Sequence, residues 1–306
     1  MKPPFKKSAL AEYGKHLDLL LMMAVPFAFL IVFQFVPMGG VLIAFKDFSM
    51  TRGILGSPWN GVENFHRLFT GGDFLLALRN TLTISVLRLS LGFFAPVILA
   101  LLLNEIRLNA YKRGIQTLTY LPHFISWVIL GGIMLMLFSI NGPVNTLIES
   151  IGGEPVAFLT SDGWFIFLLI ASGIWQGMGY GSIIYLAALS GIDPCLYEAA
   201  VVDGAGRWKQ TLYITLPSLV PTMITLFILS LGQILNAGFD QIFNMYSIPV
   251  YNVADILDTY VLRRLISLDY GLATAAGLFK SLVGMILIIL ANALAKGLSK
   301  GEQGVW

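Results

Sequence analysis

Six stretches of this chain are each long and apolar enough to cross a lipid bilayer, which leaves few folds open. A helical span needs about 20 predominantly apolar residues. Candidates lie at about 17–43, 78–103, 118–140, 164–190, 217–239 and 271–295. In hydrocarbon no water can pair the backbone, so a spanning segment is either a helix or a strand of a closed barrel. Barrel strands read as about ten alternating residues, and these runs are longer and continuous. The expected fold is an all-α integral membrane protein with six transmembrane helices. Composition agrees: 57% of the 306 residues are hydrophobic and 12% charged, against about a quarter charged in soluble domains. The run at 17–43 outlasts a signal-peptide core and lacks a small-residue cleavage site, so it reads as a retained span. No repeat divides the chain. Residues 17–299 are expected to form one membrane domain, between a basic segment at 1–16 and a tail at 300–306.

Charge placement sets the expected orientation. Eleven Lys and Arg residues fall in the N-terminal segment, the connections after spans two and four, and the C-terminus. Five fall in the remaining connections, beside ten acidic residues. Cytoplasmic connections carry the basic excess, so both termini and the connection after span four are expected in the cytoplasm. A formal net charge of +2 gives no reason to expect a nucleic-acid partner. Lone Cys195 allows no internal disulfide. On the other side, VADILDTYVLRRLI carries apolar residues at helical spacing and predicts a short amphipathic helix. That helix is either an interfacial anchor or a docking surface.

The connection at 191–217 is polar and glycine-broken, between two apolar spans. Asp193-Pro194 is a helix opening, an N-cap residue followed by proline at the first helical position. About two turns can follow from Leu196 to Asp203, and Gly204 suits the left-handed residue after a helix end. A second short helix can run from about Arg207 into span five, entered at Pro217. GAGRWK (204–209) is no phosphate loop, because the string G-x-x-x-x-G-K-[ST] occurs nowhere in the chain. The chain therefore has no recognisable ATP site and is not expected to be an enzyme. Three scattered histidines make no metal site. His66, His123, Asn80 and Asn104 are read as loop or packing residues.

Glu198-Ala199-Ala200, three residues, Gly204, nine residues, Ile214, one residue, Leu216-Pro217: this spacing resembles the EAA signature of ABC importer permeases. Whole-chain stretches such as GSPWNGVENFHRLF and GLATAAGLFKSLVGMILIILANALAKGLS are similar to the polysaccharide and oligosaccharide permeases related to the maltose transporter. The resemblance implies a permease fold in the bacterial inner membrane, with the first helix of 191–217 as a coupling helix. Glu198, Ala199, Ala200, Asp203, Gly204, Ile214, Leu216 and Pro217 would form the ATPase coupling element. Implied partners are a second homologous permease chain, two ATPase subunits that bind the ATP and Mg, and an extracytoplasmic solute-binding protein. Two alanines would let a partner approach closely, and a carboxylate could take a partner's basic group.

Polar residues inside the spans point to a pathway. Ser230, Gln233, Ala237 and Asp240 follow i, i+3, i+7, i+10 and would share one helical face, flanked by Asn236. In span four, Trp175, Gln176 and Tyr180 cluster within two turns. Amides, hydroxyls and aromatic faces suit a sugar, and the bilayer interior tolerates polar groups mainly around a cavity. The alternative is interhelical hydrogen bonding, worth about 0.6 kcal/mol each. By the same resemblance, sugar contacts lie on these two spans. Gly173, Gly177 and Gly181 are read as close helix packing. Arg88 and Lys280 sit roughly 12–15 Å deep at 1.5 Å per residue. An unpaired cation there costs at least about 2.5 kcal/mol. Either they face an acidic oligosaccharide, such as one built of uronic acids, or they pair with carboxylates or carbonyls. Two other functions remain open, an ABC importer permease for a non-sugar solute and an ion-coupled carrier. Such carriers often show broken spans, which are not expected here.

Overall fold

The computed structural model describes residues 17–298; the segments 1–16 and 299–306, with their expected basic head and tail, lie outside the described residues. Among the described residues five helices are long and apolar enough to cross a membrane: Asp18–Phe45, Gly72–Glu105, Asp162–Ser190, Arg207–Gly232 and Tyr270–Ala293. A sixth span exists if a bent pair counts as one. Among the described residues the only β pairing is an isolated bridge between Lys46 and Trp59. The expected all-helical fold is therefore present.

Two helices loosen for the same local reason. Each contains a π-helical turn, Ile31–Phe35 and Thr211–Thr215, ending one residue before Val36-Pro37 and Leu216-Pro217. The N–H of Val36 reaches back to Ile31, and that of Leu216 to Thr211. A proline ring crowds the carbonyl four residues upstream and offers it no N–H. The wider turn is where each helix makes room.

Two expectations about the spans need correction. The third span, expected at 118–140, is broken. Asn109–Tyr120 leads through a 3-10 turn at Leu121–Phe124 to Trp127–Leu137, bent by 102°. Pro122 removes a donor in the turn, and extended Ser126 starts the second helix by accepting from Ile129 and Leu130 through its carbonyl. The fifth span, expected to reach 239, ends its α-helix at Gly232. After a 3-10 turn at Ile234–Asn236, Ala237 (φ 44°) and Gly238 (φ 77°) are both left-handed, and a helix restarts at Phe239–Met245. Ser230 and Gln233 therefore do not share a continuous helical face with Ala237 and Asp240. Broken spans are present after all. Irregular backbone at membrane depth persists only where protein buries it or a cavity adjoins it.

Among the described residues three larger apolar clusters, with a small fourth at Ile228 and Ala291, hold the bundle. One gathers Ile84, Phe165, Leu169 and Ile242 around the fifth-span break. A second packs Phe74, Ala77, Leu257, Tyr260 and Ala276. A third, toward the 191–217 end, joins Val97, Ala100, Tyr185, Leu189 and Leu219. The amphipathic segment forms a helix at Leu257–Ile266. Leu257 and Tyr260 pack inside the protein, with Tyr260 edge-on to Phe74 at 5.7 Å, while Leu265 and Ile266 stay exposed. Beside it, Arg263 grips buried Asp255 through two bonds of 2.7 and 2.9 Å, which pushes the guanidinium above its usual pKa. Asn80 donates to the carbonyls of Asn252 and Asp255, both at 3.0 Å, and ties this end to span two. Span one stands apart: residues 18–38 are exposed, and contact with span six begins at Gly39–Phe45.

Candidate transport cavity and coupling loop

The broken fifth span opens a cavity of about 650 Å³ against spans two and four. Arg88, Gln176, Ser230, Gln233, Asn236 and Gln241 supply its polar lining. Arg88 comes from the middle of the second span, Gly72–Glu105, and lies against Gly173 and Gly238. Its guanidinium donates to the Gln241 side-chain oxygen. The Gln241 amide nitrogen in turn donates to the Leu169 carbonyl and the Ser172 hydroxyl, each at 2.8 Å. Gly238 lies directly against the guanidinium, leaving no room for a Cβ. That contact lies at the second of two successive left-handed residues. Buried Ala237, a non-glycine residue in the left-handed region, bears strain of about 1–3 kcal/mol.

A second chamber of about 580 Å³ adjoins the first, and Trp127, Asn236, Gly238 and Gln241 line both. Asp240, Asp258 and Lys280 line the second and not the first. The Lys280 ammonium lies 2.6 and 2.7 Å from the Asp258 oxygens and 2.9 Å from the Asn236 side-chain oxygen. Asn236 also donates to Gln233, so one amide links the two chambers.

Of the residues singled out in the sequence, Arg88, Gln176, Ser230, Gln233 and Asn236 meet around the first chamber. Asp240 and Lys280 meet at the second. Trp175 and Tyr180 are exposed and line neither; Tyr180 stacks on His123 at 4.0 Å beside the third-span break. The Ser230 hydroxyl donates to Leu226 at 2.7 Å, leaving its oxygen as an acceptor. Gly181 abuts Pro96, and Gly173 faces Arg88 and Gln241, whereas Gly177 meets nothing within 4 Å. Gly179 is the tightest packing glycine of span four, pressed on the Thr119 carbonyl. Sequence reasoning missed Gln241, Gly238 and Asp258. Gln241 follows Asp240 in a polar pair that could have marked it. Asp258 had no linear signal, since it sits in a connection 22 residues before Lys280.

The coupling loop folds as its chemistry dictates. The Asp193 carboxylate accepts from the Cys195 N–H at 2.9 Å and caps Pro194–Val202. At the other end Gly204 has φ 76°. Its N–H reaches the Val201 carbonyl and that of Ala205 reaches Ala200, at 3.0 and 2.8 Å. This pair of bonds is the Schellman arrangement that satisfies helix-end carbonyls. Gln210 then donates to the Ala205 carbonyl at 2.8 Å, and Tyr197 meets Thr215 at 3.0 Å, fixing the hairpin. Arg207 reaches Glu105 at 3.4 Å and ties the loop to the end of span two. Glu198, Ala199, Asp203, Gly204 and Pro217 are exposed, and Ala200, Ile214 and Leu216 half-buried. Val202 and Trp208, 87% and 79% exposed, stand beside them as an apolar face. Among the described residues no cluster of His, Cys, Asp and Glu could hold a metal ion.

A helical membrane bundle with a polar cavity amid its spans and a rigid exposed hairpin defines a transport subunit. Residues 92–301 match the family of binding-protein-dependent transport system inner membrane components, and the chain belongs to that family. It is a permease subunit of an ABC transporter rather than an ATPase. The chain is 44% identical over 303 residues to the polygalacturonan/rhamnogalacturonan transport system permease protein YteP of Bacillus subtilis (strain 168). That match covers 98% of this chain and 94% of its relative. Two solved structures are similar along nearly the whole length. One is a bacterial ABC transporter involved in the import of the acidic polysaccharide alginate, with a TM-score of 0.87, 39% identity, and 93% and 97% of the two chains covered. The other is the bacterial alginate ABC transporter in complex with an alginate pentasaccharide-bound periplasmic protein, with a TM-score of 0.89, 38% identity, and 98% and 100% covered.

Proposed function

We propose that this chain is the permease subunit through which an ABC importer moves an oligosaccharide into the cell, an acidic polysaccharide fragment among its substrates. The observation that carries this reading is the first chamber. Amides of Gln176, Gln233 and Asn236, the Ser230 oxygen and the Arg88 guanidinium converge on one space inside an apolar bundle. Sugar hydroxyls need such paired donors and acceptors. The relatives for polygalacturonan, rhamnogalacturonan and alginate support the acidic substrate.

Residues 191–217 act as the coupling loop on the cytoplasmic side, as the charge bias indicates. Glu198, Ala199 and Ala200 present the seat for an ATPase subunit, and Asp203 with Gly204 ends the helix that carries them. Ile214, Leu216 and Pro217 join that hairpin to span five. ATP and Mg belong to two partner ATPase subunits. A second homologous permease chain closes the open side of the cavity, and an extracytoplasmic solute-binding protein delivers the sugar. An ion-coupled carrier would have no use for the hairpin.

The test is ATPase stimulation of the reconstituted complex by binding protein loaded from a panel of neutral and acidic oligosaccharides. Stimulation by one oligosaccharide class is expected. Stimulation by none, alongside stimulation by a non-sugar solute, would overturn the substrate class.

A further inference from the structure

The two intramembrane cations are not equivalent. Lys280 is neutralised by both oxygens of Asp258 and further held by Asn236. Arg88 has no carboxylate in ion-pair reach among the described residues, and its one side-chain acceptor there is the neutral Gln241 oxygen. Its Nε–H is enclosed with no acceptor at all. The acidic groups are segregated as well: Asp240 and Asp258 line the second chamber and not the first.

Resting on the oligosaccharide reading above, we infer that Arg88 is the charge-selective residue of the first chamber and that it binds a carboxylate of a uronate unit. A guanidinium is always charged and offers five N–H donors in a planar fork that matches a carboxylate. Here the fork is held before any substrate arrives. Gln241 fixes one edge, itself locked by the Leu169 carbonyl and the Ser172 hydroxyl. Gly238 lies where a side chain would displace the guanidinium, and Gly173 lies where one would crowd the Gln241 oxygen that holds it. A uronate brought to this slot would meet the one uncompensated cation there, while the amides of Gln176, Gln233 and Asn236 receive its hydroxyls. Lys280 is silent in this selection because Asp258 cancels its charge. Gly238, next to strained Ala237, then leaves room for an arginine without a carboxylate partner.

The experiment uses the complete transporter, with its native partner subunits, in proteoliposomes. Uptake of an oligogalacturonide is compared with uptake of its fully methyl-esterified counterpart of equal length, which keeps the shape and removes the charge. Wild type should favour the acid. Arg88→Gln should lower acid uptake roughly 10- to 100-fold, the range for a charged hydrogen-bonded contact, and leave the ester within about twofold. Arg88→Lys, which keeps the charge without the fork, should fall between. Equal loss of acid and ester uptake in Arg88→Gln would overturn the inference and leave the oligosaccharide reading standing. If Arg88→Gln fails to assemble, Arg88→Lys decides: an acid-to-ester ratio equal to wild type overturns the inference. Wild type that moves neither compound overturns the oligosaccharide reading itself.

Discussion

Lys280 and Asp258 meet head-on, with the ammonium 2.6 and 2.7 Å from the two carboxylate oxygens. A lysine of the last span is thus neutralised by a short helix from the preceding connection. Breaking a fully buried pair from one side costs about 3–5 kcal/mol, because a charge is left behind. These side chains keep 19% and 25% of their exposure, so Asp258→Asn should cost less, about 2 kcal/mol. The double variant Asp258→Asn with Lys280→Gln should recover part of the loss. Thermal midpoints of the purified complex test this. Equal midpoints for the single and double variants would show that the stranded charge is not the cause.

Gly204 and Gly206 offer a matched comparison in the coupling hairpin. Gly204 is left-handed at φ 76°, whereas Gly206 sits at φ −69°, open to any residue. Gly204→Val should strain the turn by about 1–2 kcal/mol and reduce the ATPase that co-purifies. Gly206→Ala should leave it unchanged. Quantifying co-purified ATPase per permease reads both.

Glu198 is exposed, and its side chain makes no hydrogen bond or ion pair to another described residue. Surface changes of this kind stay within about ±0.5 kcal/mol. Glu198→Ala should therefore leave the isolated permease as stable as wild type while weakening ATPase attachment and transport. Loss of thermal stability in the isolated chain would assign Glu198 a structural role instead.

Gly179 presses on the Thr119 carbonyl beside the third-span break, with no space for a methyl group. Overpacking costs about 1–3 kcal/mol, so Gly179→Ala should lower the midpoint by several degrees. Gly277→Ala, at a helical position with nothing within 4 Å, is the control and should be neutral or slightly stabilising. If the two behave alike, the close approach of spans three and four carries no energetic weight.

Local chemistry made much of the molecule legible. Lipid requires each segment to satisfy its own backbone, so runs of apolar residues announce helices by length alone. The coupling hairpin was readable for the same reason: Asp193 caps its own helix and Gly204 ends it, each within a few residues. At Pro122, by contrast, the third span expected from the sequence runs straight through the proline that marks the bend.

What the sequence by itself determined is this helical inventory, the hairpin and the residue types available to a cavity. The tertiary structure decided which of those residues meet. Apolar periodicity would have continued span five through Ala237, and Ala is a strong helix former. Instead the α-helix stops at Gly232, and Gly238 lies against Arg88, from a helix some 150 residues earlier. The Asp258–Lys280 pair and the Arg88–Gln241 contact are likewise products of packing between distant segments. No propensity or spacing encodes such meetings, because their energy exists only once the bundle has closed around them.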